Sequence, residues 1–154
     1  MKYFLGIVLL FSFSINATTI HVGKKHPIKS VKTGIALAKD GDTLMVHGGW
    51  YKEGNIVIDK KIVFIGKGLP VLDGEKKHEV LSIKSDSVVV EGFKVIKSAY
   101  ATITDPCGIK VYNSKYVVIQ NNVLDDNFFG IYLQNSQNCT IKNNRLTAHG
   151  KEEQ

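Results

Sequence analysis

A 22-residue period governs the C-terminal half of this chain. Gly108-Ile109-Lys110-Val111-Tyr112-Asn113-Ser114 returns as Gly130-Ile131-Tyr132-Leu133-Gln134-Asn135-Ser136. Val117-Val118-Ile119-Gln120-Asn121-Asn122-Val123-Leu124 returns as Cys139-Thr140-Ile141-Lys142-Asn143-Asn144-Arg145-Leu146. The repeated runs are short, β-branched and without helical periodicity, so each copy reads as one supersecondary unit that buries its apolar row only against its neighbours. Fainter copies, Ile62-Val63-Phe64-Ile65-Gly66 and Val88-Val89-Val90-Glu91-Gly92, extend the pattern upstream at wider spacing. The extra residues belong in loops, notably Gly68 to Glu79 and Ser98 to Pro106. The expected fold is all-β: a right-handed, single-stranded parallel β-helix of the pectin-lyase-like kind with a short N-terminal capping helix.

Alternation assigns the faces. Side chains two apart share a face of a strand, so Ile109, Val111, Val117, Ile119 and Leu124 point inward. Ile131, Leu133, Cys139, Ile141 and Leu146 stack on them one rung later, at ~4.8 Å. The asparagines pair by the same register: Asn113 with Asn135, Asn121 with Asn143 and Asn122 with Asn144. Asn tolerates left-handed turns and its amide bonds along a stack, so these six form a structural ladder. Cys107 and Cys139 fall at different points around the rung, so no disulfide is expected between them.

Upstream of the repeat, Thr19 to Val22 reads as a strand. Ser30 to Lys39 reads as a helix, with Ser30 its N-cap and Val31, Ile35 and Ala38 on one face. Thr43 to His47 is a strand with Leu44 and Val46 inward. The helix is placed to cover the open end of the first rung, whose bare edge would invite aggregation. At the far end the chain stops mid-rung, which reads as a C-terminally truncated coil. The resulting division is a signal peptide at 1–17, a cap and first rung at 18–60, and β-helix rungs at 61–154.

Residues 1–17 carry the marks of export. Lys2 precedes an apolar run from Tyr3 to Phe13, too short to span ~30 Å of hydrocarbon, and small polar residues lead to Ala17. The expected location is the periplasm. The net charge of +6 comes from lysines scattered along the chain. With export, this argues against nucleic acid and for general solubility.

Three classes of site chemistry have candidate residues in the chain. Copper favours His, Cys and Met. Met45 and His47 lie two apart on one strand and face outward together, but no close His/Cys cluster is visible, and no metal site is expected in this segment. For polysaccharide cleavage, Asp125-Asp126 with His149-Gly150 almost one rung on faintly resembles the polygalacturonases. The Asn-x-Asp expected before the pair is replaced by Asn121-Asn122-Val123-Leu124, and turn geometry accounts for the acidic residues. Phe128, Phe129 and Tyr132 are candidates for a partner contact, with one of the adjacent phenylalanines exposed.

Several segments together resemble the NosD family of exported accessory proteins for nitrous-oxide reductase: Gly41-Asp42-Thr43-Leu44-Met45-Val46 running to Gly49-Trp50-Tyr51; Val63-Phe64-Ile65-Gly66 with Val71-Leu72-Asp73-Gly74; Val88 to Phe93; and Asp125 to Leu133. The resemblance covers Thr19 to the C-terminus, and the chain is shorter than such proteins. It implies a non-catalytic periplasmic scaffold working with an ABC-type ATPase and permease. Its other implied partners are a copper chaperone or nitrous-oxide reductase, and the copper–sulfide site of the reductase is what matures. No bound cofactor is expected; copper belongs to the implied pathway. The alternative is a carbohydrate-binding or polysaccharide-cleaving β-helix protein.

Overall fold

The structure, a computed structural model, describes residues 17–100 and 105–147. Among the described residues, one helix and fifteen short strands follow in order: β1 (Thr19–Val22), α1 (Val31–Leu37), β2 (Thr43–His47), β3 (Trp50–Tyr51), β4 (Ile56–Ile58), β5 (Val63–Lys67), β6 (Val71–Asp73), β7 (Leu81–Ile83), β8 (Val89–Glu91), β9 (Lys94–Ile96), β10 (Cys107–Tyr112), β11 (Val118–Gln120), β12 (Val123–Asp125), β13 (Phe129–Gln134), β14 (Thr140–Lys142) and β15 (Arg145–Thr147). Every pairing is parallel, and three sheets form the walls of a coil: β1-β2-β5-β8-β11-β14, β3-β6-β9-β12-β15 and β4-β7-β10-β13. One strand from each wall makes a turn of the solenoid, so the parallel β-helix is as expected.

The stacks run as the repeat requires. Leu44, Phe64, Val90, Ile119 and Ile141 are successive partners on the first wall, and Leu72, Val95, Leu124 and Leu146 on the second. Ile58, Ile83, Val111 and Leu133 line the third. Their upstream members are fully buried, whereas Ile141 and Leu146, on the last described turn, lie in the same stacks with one side open to solvent. The Phe64 and Phe93 rings stack 4.2 Å apart in the core. The Gly68–Glu79 stretch is not all loop: it contains β6, and the residues between β6 and β7 make the turn longer.

The cap is held at both ends. Ser30 accepts from the Thr33 amide at 3.2 Å, as an N-cap should. Glu53 adds what the sequence did not suggest: its carboxylate accepts from the Val31 amide (2.8 Å), the Lys32 amide (3.0 Å) and the Ser30 hydroxyl (2.7 Å). At the other end the Lys60 ammonium donates to the carbonyls of Ile35, Ala36 and Ala38 at 2.8–3.0 Å. A carboxylate at the helix N-terminus and an ammonium at the C-terminus both oppose the macrodipole. The helix ends at Leu37, short of the Lys39 expected, because Ala38 is already extended (ψ 151°). Val31, Ile35 and Ala38 are buried against the first rung.

Candidate metal centre

The parallel register of β1 on β2 sets Thr19 beside Thr43, Ile20 beside Leu44, His21 beside Met45 and Val22 beside Val46. Leu44, Val22 and Val46 face the core, so His21, Met45 and His47 face outward together. A tight loop then brings a third imidazole to them. After β1 the chain doubles back: the Gly23 amide donates to the Ile28 carbonyl and the His26 amide to the Gly23 carbonyl, each at 2.9 Å. The Lys29 ammonium ties the loop further, donating to the carbonyls of Lys24 and His26.

His21, His26 and His47 therefore converge. One ligand nitrogen from each lies within 4.8 Å of the others. The His21 Nδ1 and His47 Nε2 stand 3.0 Å apart in hydrogen-bond contact. The His26 ring centroid is 4.0 Å from that of His47 and 5.3 Å from that of His21. Gly23 makes the approach possible: a Cβ there would meet His47 Cβ at 3.0 Å and His26 Cδ2 at 3.3 Å. Burial, with the neighbouring His26, His21 and Lys67, holds the His47 pKa below the ordinary imidazole value and so favours the neutral ring. Two imidazoles on neighbouring strands and a third from the loop between them form a nitrogen donor set suited to a late transition-metal ion.

The expectation that no close His/Cys cluster exists does not hold: the spacing of 21, 26 and 47 hides it. Of the two residues singled out, His47 is in the cluster and Met45 lies beside it in register with His21. A cleft of about 610 Å³ opens next to the cluster between Lys24, Lys29 and the Gly48–Glu53 segment. Trp50 stands on its rim, 58% exposed, with its indole N–H on Asp73 at 2.8 Å.

The other candidate residues have structural partners. Asp125 pairs with Lys94 at 3.6 Å; Asp126 pairs with Lys76 at 3.2 Å and accepts from the Tyr100 hydroxyl at 2.9 Å. Asp126 also has a left-handed φ of 54°, a turn conformation. His149 lies outside the described residues. Phe128 and Phe129 are both exposed, with ring centroids 4.8 Å apart, in a surface group with Tyr100 and Tyr132. Asn113, Asn121, Asn135 and Asn143 all take left-handed φ values of 47–55° at rung corners. The Asn135 amide reaches Asn113 Oδ1 at 3.4 Å. Asn122 and Asn144 turn inward and bond to each other and to rung backbone. Cys107 and Cys139 are both free thiols, and burial pushes the Cys107 pKa up to about 12.

The family described as "Periplasmic copper-binding protein (NosD)" matches residues 38–152, most of the chain. The chain belongs to the NosD family. The match takes in His47 and leaves His21 and His26 before its start. None of the curated proteins compared matches this NosD-family chain. Among solved structures, a variant pectin methylesterase in complex with a hexasaccharide has a similar fold. The TM-score is 0.59 at 10% identity, over 92% of this chain and 57% of that one. The chain thus spans a little over half the length of that structure, and the likeness speaks for the β-helix alone. Among the described residues no helix is long and apolar enough to cross a membrane.

Proposed function

We propose that this NosD-family chain is an exported, non-catalytic scaffold in the maturation of the copper–sulfide site of nitrous-oxide reductase, acting with an ABC-type ATPase and its permease. The single observation that carries this reading is the family match, a family described as periplasmic and copper-binding, running through the rungs from residue 38 to 152. The structure is compatible with a docking role: flat parallel walls, an exposed aromatic group at Phe128, Phe129 and Tyr132, and a cleft beside Trp50. The acidic pair Asp125 and Asp126 is engaged with Lys94, Lys76 and Tyr100, which suits a turn better than general acid–base work.

The test is deletion of the gene in cells that make nitrous-oxide reductase. A reductase that is present but inactive and depleted of its copper–sulfide cluster supports the role. A fully active, copper-replete reductase overturns it.

One observation favours a second reading, carbohydrate binding. On the β4-β7-β10-β13 wall the exposed Lys84 ammonium sits 5.3 Å from the Tyr112 centroid, both lining a cleft of about 400 Å³, and the exposed Tyr132 stands on the next strand of the wall. Aromatic faces with a cation suit an acidic sugar. Retention of the chain on immobilised acidic polysaccharide, lost in Tyr132→Ala, would support this reading, and no retention would remove it.

A further inference from the structure

We propose that His21, His26 and His47 form a three-imidazole site for a single cuprous ion. The ligand set stands on the geometry alone; the choice of copper as cargo rests in part on the maturation role proposed above.

The site is built rather than accidental in three respects. Each imidazole comes from a different restraint: His21 from β1, His47 from β2 and His26 from a loop closed by two backbone hydrogen bonds and by Lys29. Gly23 leaves the space in which the three rings meet. The nitrogens are close to ligand spacing as they stand. Metal–nitrogen bonds of ~2.0–2.1 Å in a tetrahedral site put neighbouring nitrogens ~3.3 Å apart. The His21–His47 pair is at 3.0 Å and the whole set within 4.8 Å, so small side-chain rotations suffice. The His21–His47 hydrogen bond holds two of the ligands together, and a metal ion would take the place of its proton.

Charge and softness select the ion. Imidazole ligands, unlike thiolate or carboxylate, bring no negative charge to the ion. Lys67, in register with His47, adds a positive one, so a monovalent ion suffers less repulsion than a divalent one. Met45, opposite His21 on the same outward face, offers a thioether at the margin of the site. Thioether favours the soft cuprous ion over zinc. With three protein nitrogens, a further coordination position remains for a donor from outside, as an ion in transit requires. The cleft beside Trp50 gives room for a carrier to approach.

The test is an anaerobic titration of the purified chain with Cu(I) against a chromogenic cuprous chelator, followed by competition with Zn(II). The expected result is one Cu(I) per chain that excess Zn(II) does not displace. His26→Ala should weaken binding at least tenfold and the His21→Ala/His26→Ala/His47→Ala variant at least a hundredfold, with far-ultraviolet circular dichroism unchanged. Because His26 lies in a surface loop, its variant keeps the test valid should the triple variant fold poorly. Equal Cu(I) affinity in wild type and His26→Ala overturns the site, and displacement by Zn(II) overturns the choice of ion. Complementing the gene deletion separates the two proposals. A deletion phenotype that the triple variant rescues in full leaves the scaffold standing and removes the site's role. Absence of any deletion phenotype, with tight Cu(I) binding intact, removes the maturation role and leaves the site.

Discussion

The Asn122 side-chain amide donates to Asn144 Oδ1 over 3.1 Å, from one rung of the coil to the next. The same amide also reaches the Val90 carbonyl at 3.1 Å, and Asn122 Oδ1 accepts from the Phe93 amide at 3.0 Å. Asn122 is 1% exposed, so it is a buried bracket across three rungs. Asn122→Ala would strand the Phe93 N–H away from water and empty the space its amide fills, at a cost of about 2–3 kcal/mol. Asn144, less buried, should cost about 1 kcal/mol as Asn144→Ala. Urea unfolding of the two variants measures the difference, and equal losses would show that the buried bracket is not where the stability lies.

Gly66 and Gly92 stack in register on neighbouring rungs, with no room for a side chain between them. A Cβ on Gly66 would fall 2.4 Å from the Gly92 carbonyl oxygen, and one on Gly92 2.5 Å from that of Gly66. Both obstacles are backbone and cannot swing aside. Gly41 is a useful contrast: its φ is +91°, but nothing lies within 4 Å of an added Cβ. Gly66→Ala is therefore expected to destabilise by about 3 kcal/mol or more, and Gly41→Ala by about 1 kcal/mol, the cost of backbone conformation alone. Thermal unfolding of the pair tests the ranking.

These rung contacts were legible in the sequence because a parallel β-helix writes its register into its period. Gly66 and Gly92 close matching segments, and Asn122 and Asn144 occupy matching positions. Alternation then told which of Ile119 and Gln120 faces the core. The histidine cluster was not legible for the opposite reason. His21 and His26 lie before the clear repeats, and their meeting with His47 depends on α1 spanning the gap and on the turn at Gly23. A signal was nonetheless present. Thr19-Ile20-His21-Val22 and Thr43-Leu44-Met45-Val46 are one more pair of rung copies, and reading them so puts His21 and His47 on the same outward face. The Glu53 and Lys60 contacts to α1 had no such signal, since isolated charged residues in a sequence do not say which helix end they will meet.

Those two contacts carry a prediction. A seven-residue helix is too short to persist on its own propensity, so its hold depends on burial and on its caps. Glu53→Ala removes the acceptor for the Val31 and Lys32 amides and should destabilise by about 1–2 kcal/mol. Hydrogen exchange should localise the change, with faster exchange in α1 and little change in β11 and β12. Uniformly faster exchange would mean that the cap and the rungs unfold together.

Asp42 makes the cap sensitive to acid. Its carboxylate accepts from the Thr18 amide, the Lys39 amide and the Thr18 hydroxyl, each at 2.8 Å. The backbone hydrogen bonds from Thr18 and Lys39 lead in holding its pKa below the ordinary carboxylate value of 3.8. A folded-state pKa below the unfolded one means that the unfolded chain binds the proton more readily. The stabilisation is thus fully present above the unfolded value and is lost as pH falls through the folded one. Asp42→Asn, which keeps the shape but not the charge, should be less stable than wild type at neutral pH, and the gap should shrink as pH drops below about 4. Urea midpoints from pH 7 down to pH 2 measure it, and a constant gap would mean that packing, not ionisation, accounts for the loss.

The two thiols should differ in reactivity. Cys107 is fully buried, its Sγ lies 3.0 Å from the Asp105 carbonyl, and burial together with the nearby Glu79 raises its pKa to about 12. At pH 8 almost none of it is thiolate, the species that reacts. Cys139 is only half-buried, on the last described turn. Brief iodoacetamide treatment of the native chain should therefore add one group, at Cys139, with a second appearing only in urea. Mass spectrometry of the digested protein reads the site directly. Prompt labelling of Cys107 in the native chain would mean that the third wall opens readily around Val80 and Cys107.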